Sequence, residues 1–262
     1  MSYERVYTEF DTPLGRQLRA AAYGEDIGQH SWVTASELRE DIAVLGLDSS
    51  RTLLDLGCGP AGPTLLIMEA TGCAAIGLDL SPAALEAAAR RAQEAGMRQR
   101  LRLENANLDA PLPLADQCVD AAVCLDAILH ARDRRPVFRE VRRVLVPDGR
   151  FLFTDAAVAT GAIDDAELAA RSAYGPVQVS QPGFNERELA AAGFEVLRVE
   201  DRSASLKRNA TGRLAARERF REELLRVEGA AECERQRHYL EVVIALAERG
   251  ALSRFMYLAR AA

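Results

Sequence analysis

The chain of 262 residues carries 33 Lys and Arg against 39 Asp and Glu, a formal net charge of −6. That balance offers no electrostatic reach for a phosphate backbone or an anionic bilayer, so neither nucleic acid nor membrane is expected as a partner. Apolar residues at 48% and charged residues at 27% describe a globular chain, and no apolar run approaches the roughly 18 residues of a membrane span.

Residues 1–5 lack the basic-then-apolar layout of a secretory signal, and no lipidation pattern follows, so a cytoplasmic location is expected. Residues 14–22 and 35–45 recur at helical spacing, separated by a polar loop that ends in the only tryptophan, Trp32. From Arg51 short apolar runs alternate with amphipathic stretches. Strands are predicted near 52–56, 74–79, 100–104, 119–125 and 150–155, with helices near 62–71, 81–96 and 134–145. This alternation is the signature of βαβ units and a parallel sheet wrapped by helices. A helix over 185–192 closed by Gly193, a strand over 194–199, two helices meeting near Gly229 and a strand over 253–259 complete the chain. The expected organisation is an N-terminal helical lid, 1–50, and one domain, 51–262, with a helical insertion at about 203–250 before its last strand.

Five cysteines (Cys58, Cys73, Cys118, Cys124, Cys233) form an odd set without CxxC spacing, which argues against a disulfide framework and a zinc site; no metal is expected. Only Lys207 is a lysine, and it lies in a charged stretch, which nearly excludes Walker-lysine and Schiff-base chemistry.

Gly57-x-Gly59-x-x-Gly62 places a glycine-rich turn between the first strand and its helix, where a nucleoside ligand settles in an open parallel sheet. Asp79 ends the second strand, where two acceptor oxygens suit the ribose hydroxyls. It also suits a simple helix N-terminal charge, since Ser81-Pro82 opens the next helix. The same glycines satisfy a dinucleotide fingerprint, and charge breaks the tie. Asp55 would repel a pyrophosphate but suit an ammonium and a sulfonium, and Pro60 lacks an N–H to donate to phosphates. Both details favour S-adenosylmethionine over NAD.

From about residue 51 to 153 the sequence resembles the class I S-adenosylmethionine-dependent methyltransferases. The resemblance is carried by the Asp55-x-Gly57-x-Gly59 turn, Asp79, the segment 111–120 entering the fourth strand, and the segment 143–150 before the fifth. It implies an α/β Rossmann-like sheet of seven strands, ordered 3-2-1-4-5-7-6 with the last antiparallel, a lid and insertion typical of small-molecule acceptors, and S-adenosylmethionine as cofactor. Carried over, Asp55, Gly57 and Gly59 would hold the methionine end, Asp79 the ribose and Leu80 the adenine face. The Leu125 carbonyl would take the ammonium, with Asn107 and Leu108 near the adenine edge. Many relatives have an acidic residue where this chain has Asn107, whose amide oxygen can still accept from the adenine amino group with less charge assistance.

His130, just past the fourth strand, is the candidate base, with a structural histidine as the alternative. His30 and Trp32 are placed in the lid, Trp32 over the cofactor, with ordinary packing residues as the alternative and Trp32 core-forming by composition alone, while Asp126 and Tyr174 join His30 as substrate candidates. The function expected is methyl transfer to an oxygen, nitrogen or carbon of a small organic acceptor. An NAD-dependent oxidoreductase and a non-catalytic S-adenosylmethionine-binding protein are the alternatives, and a homodimer is the assembly left open.

Overall fold

The computed structural model describes residues 3–262, with side chains described from Val6 onward. The N-terminal segment supplies α1 (Tyr3–Thr8), α2 (Pro13–Tyr23) and α3 (Ala35–Leu45). Helix α3 starts at a reciprocal capping box, Thr34 with Glu37, which satisfies two otherwise orphaned amides. The sheet then builds as β1 (Thr52–Leu56), α4 (Gly62–Thr71), β2 (Ala74–Asp79), α5 (Pro82–Glu94), β3 (Leu101–Asn105), β4 (Val119–Leu125), α6 (Arg134–Val144) and β5 (Leu145–Ala159). After α7 (Asp165–Arg171) and α8 (Phe184–Ala191) come β6 (Phe194–Asp201), α9 (Ser203–Arg219), α10 (Arg221–Val227), α11 (Ala230–Glu248) and β7 (Leu252–Ala261).

The seven strands lie in the order β3-β2-β1-β4-β5-β7-β6. Strands β1 to β5 run parallel, and β7 lies antiparallel between β5 and β6. This is the expected α/β methyltransferase sheet. Its centre reads as an unbroken apolar run because both faces are covered. Successive side chains point to opposite faces, so Leu54 and Leu56 meet Val137, Phe138 and Val141 of α6, while Leu53 meets Ile67 and Met68 of α4. Helix α6 buries Arg134, Val137, Phe138, Val141 and Val144, a stripe at three- and four-residue steps that faces the sheet.

Two features depart from expectation. The insertion holds three helices, not two, because the helix breaks at Phe220 as well as at Gly229 (φ 83°). No glycine or proline marks the first break. Strand β5 also runs well past the predicted 150–155, drawn out by pairing with β7 as far as Ala159↔Leu252.

Helix α9 packs on both α2 and α11, so the insertion and the N-terminal helices share one layer. A Cβ at Gly212 of α9 would lie 2.2 Å from the Ala22 carbonyl oxygen, so the close approach of α2 and α9 requires glycine there. Among the described residues no helix is long and apolar enough to cross a membrane.

Candidate functional site

A cavity of about 380 Å³ opens at the carboxyl ends of β1, β2 and β4. Its wall comprises the turn after β1, the end of β2, residues 106–109 and residues 125–127 with His130; Tyr7, Gly28, His30 and Ser31 of the N-terminal segment close it. Each amide of the turn is already committed. Gly57 N–H and Cys58 N–H donate to the Leu78 carbonyl at 2.8 and 3.0 Å, and Ala61 N–H donates to Cys58 at 2.9 Å. Gly59 N–H donates to Asp79 Oδ2 at 2.8 Å, and Pro60 has none to give. A pyrophosphate would therefore meet two carboxylates and no donor amides from residues 57–61, which removes the dinucleotide alternative. Gly57 holds φ at 72°, and a Cβ there would sit 2.5 Å from Ala127 Cβ, so only glycine keeps this turn tight against the end of β4.

Asp79 fixes both sides of the cavity floor. Its Oδ2 holds the turn and its Oδ1 accepts from Ser81 N–H at 2.9 Å. The helix-opening reading of this carboxylate is thereby met, and the same residue lines the cavity. Asp55 is only 3% exposed. Burial pushes its carboxyl up to about 7, with the Thr64 hydroxyl opposing that shift through a 2.5 Å bond and the Asp79 charge adding to it. A cationic ligand group beside Asp55 would relieve this strain.

Leu80 stands 64% exposed at the mouth, an apolar face set out in solvent beside Asp79. Leu108 and Leu125 line the same cavity, as does Asn107, whose Oδ1 accepts from Asp109 N–H at 2.9 Å and so fixes the loop. The donor set fits S-adenosylmethionine: acidic groups for its ribose and ammonium, and leucines for its adenine.

The lower-wall candidates divide. His130 lines the cavity with Nδ1 at 3.1 Å from the Pro176 carbonyl. A carbonyl only accepts, so Nδ1 carries the proton and the neutral ring has its basic lone pair on Nε2. Burial lowers the His130 pKa, and Pro176 partly opposes it. Asp126 also borders the cavity, but its carboxylate is spent on Arg254 Nε at 2.9 Å and Trp32 N–H at 2.8 Å. These bonds anchor the residue within the fold while it keeps its place in the cavity wall.

Trp32 does not cover the cofactor cavity. The residue is 4% exposed, packed with Tyr239, Leu240 and Val243 of α11, with the Arg213 guanidinium 4.7 Å from the ring centroid. Burying that large ring against the insertion outweighs any gain from leaving it at the pocket edge. His30 does reach the cavity, held edge-to-face between Tyr7 (5.9 Å between ring centroids) and Tyr174 (5.5 Å). Burial, then the charges of Arg213, Arg19 and His130, push its pKa down to about 3, so the ring is neutral. Tyr174 belongs to a second cavity, behind His30. Gly28 and Ser31 were not singled out from the sequence; their only signal is a glycine-containing polar loop. Among the described residues no group of three His, Cys, Asp or Glu side chains is arranged to hold a metal ion.

A sheet in this order is also the fold of solved methyltransferase structures, with TM-scores of 0.77 and 0.71. A family model described as a methyltransferase domain matches residues 54–153 of the chain. The chain is 29% identical over 224 residues to the 27-O-demethylrifamycin SV methyltransferase of Amycolatopsis mediterranei, covering 81% of this chain and 82% of that one. It is 28% identical over 200 residues to a sterol 24-C-methyltransferase of Gibberella zeae, covering 70% of this chain. The chain spans 49% of that relative and less than half of the next two curated relatives it matches. A cyclopropane synthase of Mycobacterium tuberculosis has the same fold, with a TM-score of 0.83 and 18% identity over 98% of each chain.

Proposed function

We propose that the protein transfers a methyl group from S-adenosylmethionine to an oxygen, nitrogen or carbon atom of a small-molecule acceptor. The observation that carries this reading is the turn after β1, whose amides are all committed within the fold and whose neighbours are Asp55 and Asp79. Such a turn suits a ligand that brings cations rather than phosphates. Relatives that act on a rifamycin or a sterol support a small-molecule acceptor.

When bound, S-adenosylmethionine supplies a methyl group made electrophilic by its sulfonium. Asp79 would hold the ribose, Leu80 the adenine face with Asn107 and Leu108 at its edge, and Asp55, Gly57, Gly59 and the Leu125 carbonyl the methionine end. Tyr7, His30 and Ser31 close over the cavity and exclude water, which aligns the reacting groups and prevents hydrolysis. His130 Nε2 takes the proton that leaves an acceptor hydroxyl or protonated amine. A cytoplasmic setting accords with the five unpaired cysteines. Calorimetry with S-adenosylhomocysteine and with NADH tests the cofactor, and acceptor-dependent formation of S-adenosylhomocysteine tests the reaction. Binding of NADH alone, or of neither, would sink the proposal.

A further inference from the structure

A second cavity, of about 430 Å³, lies between α1 and α2 on one side and α9, α10 and α11 on the other. Among the described residues His30 is the one side chain that lines both cavities, so the two spaces meet at its ring. The wall is chiefly apolar, with Val6, Phe10, Leu14, Leu18, Leu224 and Val227 contributing. Sequence patterning had no means of finding it, because its two sides lie some two hundred residues apart in the chain.

Glu9 also lines this wall, and several of its other polar side chains are held by partners within the fold. Arg19 pairs with Asp26 at 2.8 Å, donates to the Phe10 carbonyl and lies 3.9 Å over the Phe10 ring. Arg217 pairs with Glu228. Gln236 accepts from the Tyr174 hydroxyl at 2.5 Å and donates to Glu232 at 2.8 Å, while Gln29 is consumed by its own loop. Arg213 spreads its charge over the Trp32 ring and reaches the Tyr174 hydroxyl at 3.5 Å. A charged guest would have to shed its water against apolar walls and compete with pairs already made, which costs more than the contacts return.

We propose that this cavity holds the body of the acceptor and selects an uncharged, hydrocarbon-rich small molecule, whose reacting atom is presented past His30 to the cofactor cavity. The inference rests on the methyltransferase reading for the word acceptor; the ligand class follows from the cavity alone. Its volume falls in the range that encloses small organic ligands. His30, neutral and wedged between two tyrosines, adds no charge at the junction.

The test is equilibrium titration with Nile red, an uncharged apolar fluorophore, followed by its displacement with 1-decanol, decanoate and decylammonium. One Nile red should bind per chain, and decanol should displace it at about tenfold lower concentration than either charged analogue. Leu18→Trp and Val227→Trp, which fill the cavity from opposite walls, should each weaken Nile red binding by about tenfold while S-adenosylhomocysteine affinity stays within a few-fold. Displacement by decanoate or decylammonium as readily as by decanol would overturn the ligand class. Wild-type Nile red affinity in both folded variants would overturn the location. Because the titration needs no cofactor, a protein that binds Nile red but ignores S-adenosylhomocysteine would refute the methyltransferase reading alone.

Discussion

Arg254 of β7 donates through Nε to Asp126 Oδ1 at 2.9 Å, with side-chain exposures of 0% and 2%. The second carboxylate oxygen accepts from Trp32 N–H, and the guanidinium also reaches Ser205 and Glu37. One acid at the end of β4, held in a left-handed conformation (φ 55°), thus joins the sheet, the N-terminal segment and the insertion below the cofactor cavity. Asp126→Ala would leave Arg254 buried without that partner. The expected cost is about 3–5 kcal/mol of stability, read by urea denaturation; a loss under 1 kcal/mol would show the pair to be dispensable.

Asp79→Ala should weaken S-adenosylhomocysteine binding by about 2–4 kcal/mol, because the ribose loses two charge-assisted partners. It should also lower folding stability by about 1–3 kcal/mol, since the Gly59 and Ser81 amides lose their acceptor in the same step. Calorimetry and thermal melting read the two effects separately. Unchanged affinity in the folded variant would place the ribose elsewhere.

Asp55 predicts a pH dependence of cofactor binding. Its folded-state pKa of about 7 lies above the ordinary carboxylate value, so the ligand-free fold binds this proton more tightly than the unfolded chain does. The group's contribution to stability is therefore greatest at acid pH and declines as pH rises through the window up to about 7, by at most about 1.4 kcal/mol per pH unit. A ligand ammonium favours the carboxylate, so S-adenosylhomocysteine affinity should rise between pH 6 and pH 8 with net proton release. Calorimetry in two buffers of different ionisation enthalpy measures that release, and Asp55→Asn should abolish it.

For an acceptor that must lose a proton, His130→Ala should lower kcat by about 10²- to 10⁴-fold and leave cofactor affinity within a few-fold, because a base acts mainly in the transition state. His130→Gln should not rescue the rate, since an amide can bond but cannot take the proton. Full activity of both variants with the true acceptor would leave His130 a structural histidine.

Trp32 fluorescence should report the second cavity rather than the first. Its ring lies under Arg213, which lines the second cavity, and its packing partners belong to α11. Nile red should therefore quench its emission by energy transfer, whereas S-adenosylhomocysteine should leave the emission wavelength nearly unchanged. A large shift with S-adenosylhomocysteine alone would show that residues 23–34 rearrange around the cofactor.

The βαβ alternation, the glycine turn, the acids ending β1 and β2 and the three- to four-residue stripe of α6 are local patterns. Each depends on residues within about one element of one another, so the sequence alone determined a parallel sheet wrapped by helices with a glycine turn at its carboxyl edge, while the strand order was implied by the family resemblance. Interactions across long stretches of chain decided the rest. Trp32 follows a polar loop and would suit a lid as well as a core; α11, about two hundred residues later, supplies the apolar surface that takes it. Asp126 reads as a site acid from its place after β4, and only the folded chain adds Arg254, 128 residues on, as its ion-pair partner. The cavity behind His30 likewise forms only where α1 and α2 face α9, α10 and α11. Periodicity records which residues are to be buried, but only the folded chain determines what each buried group meets.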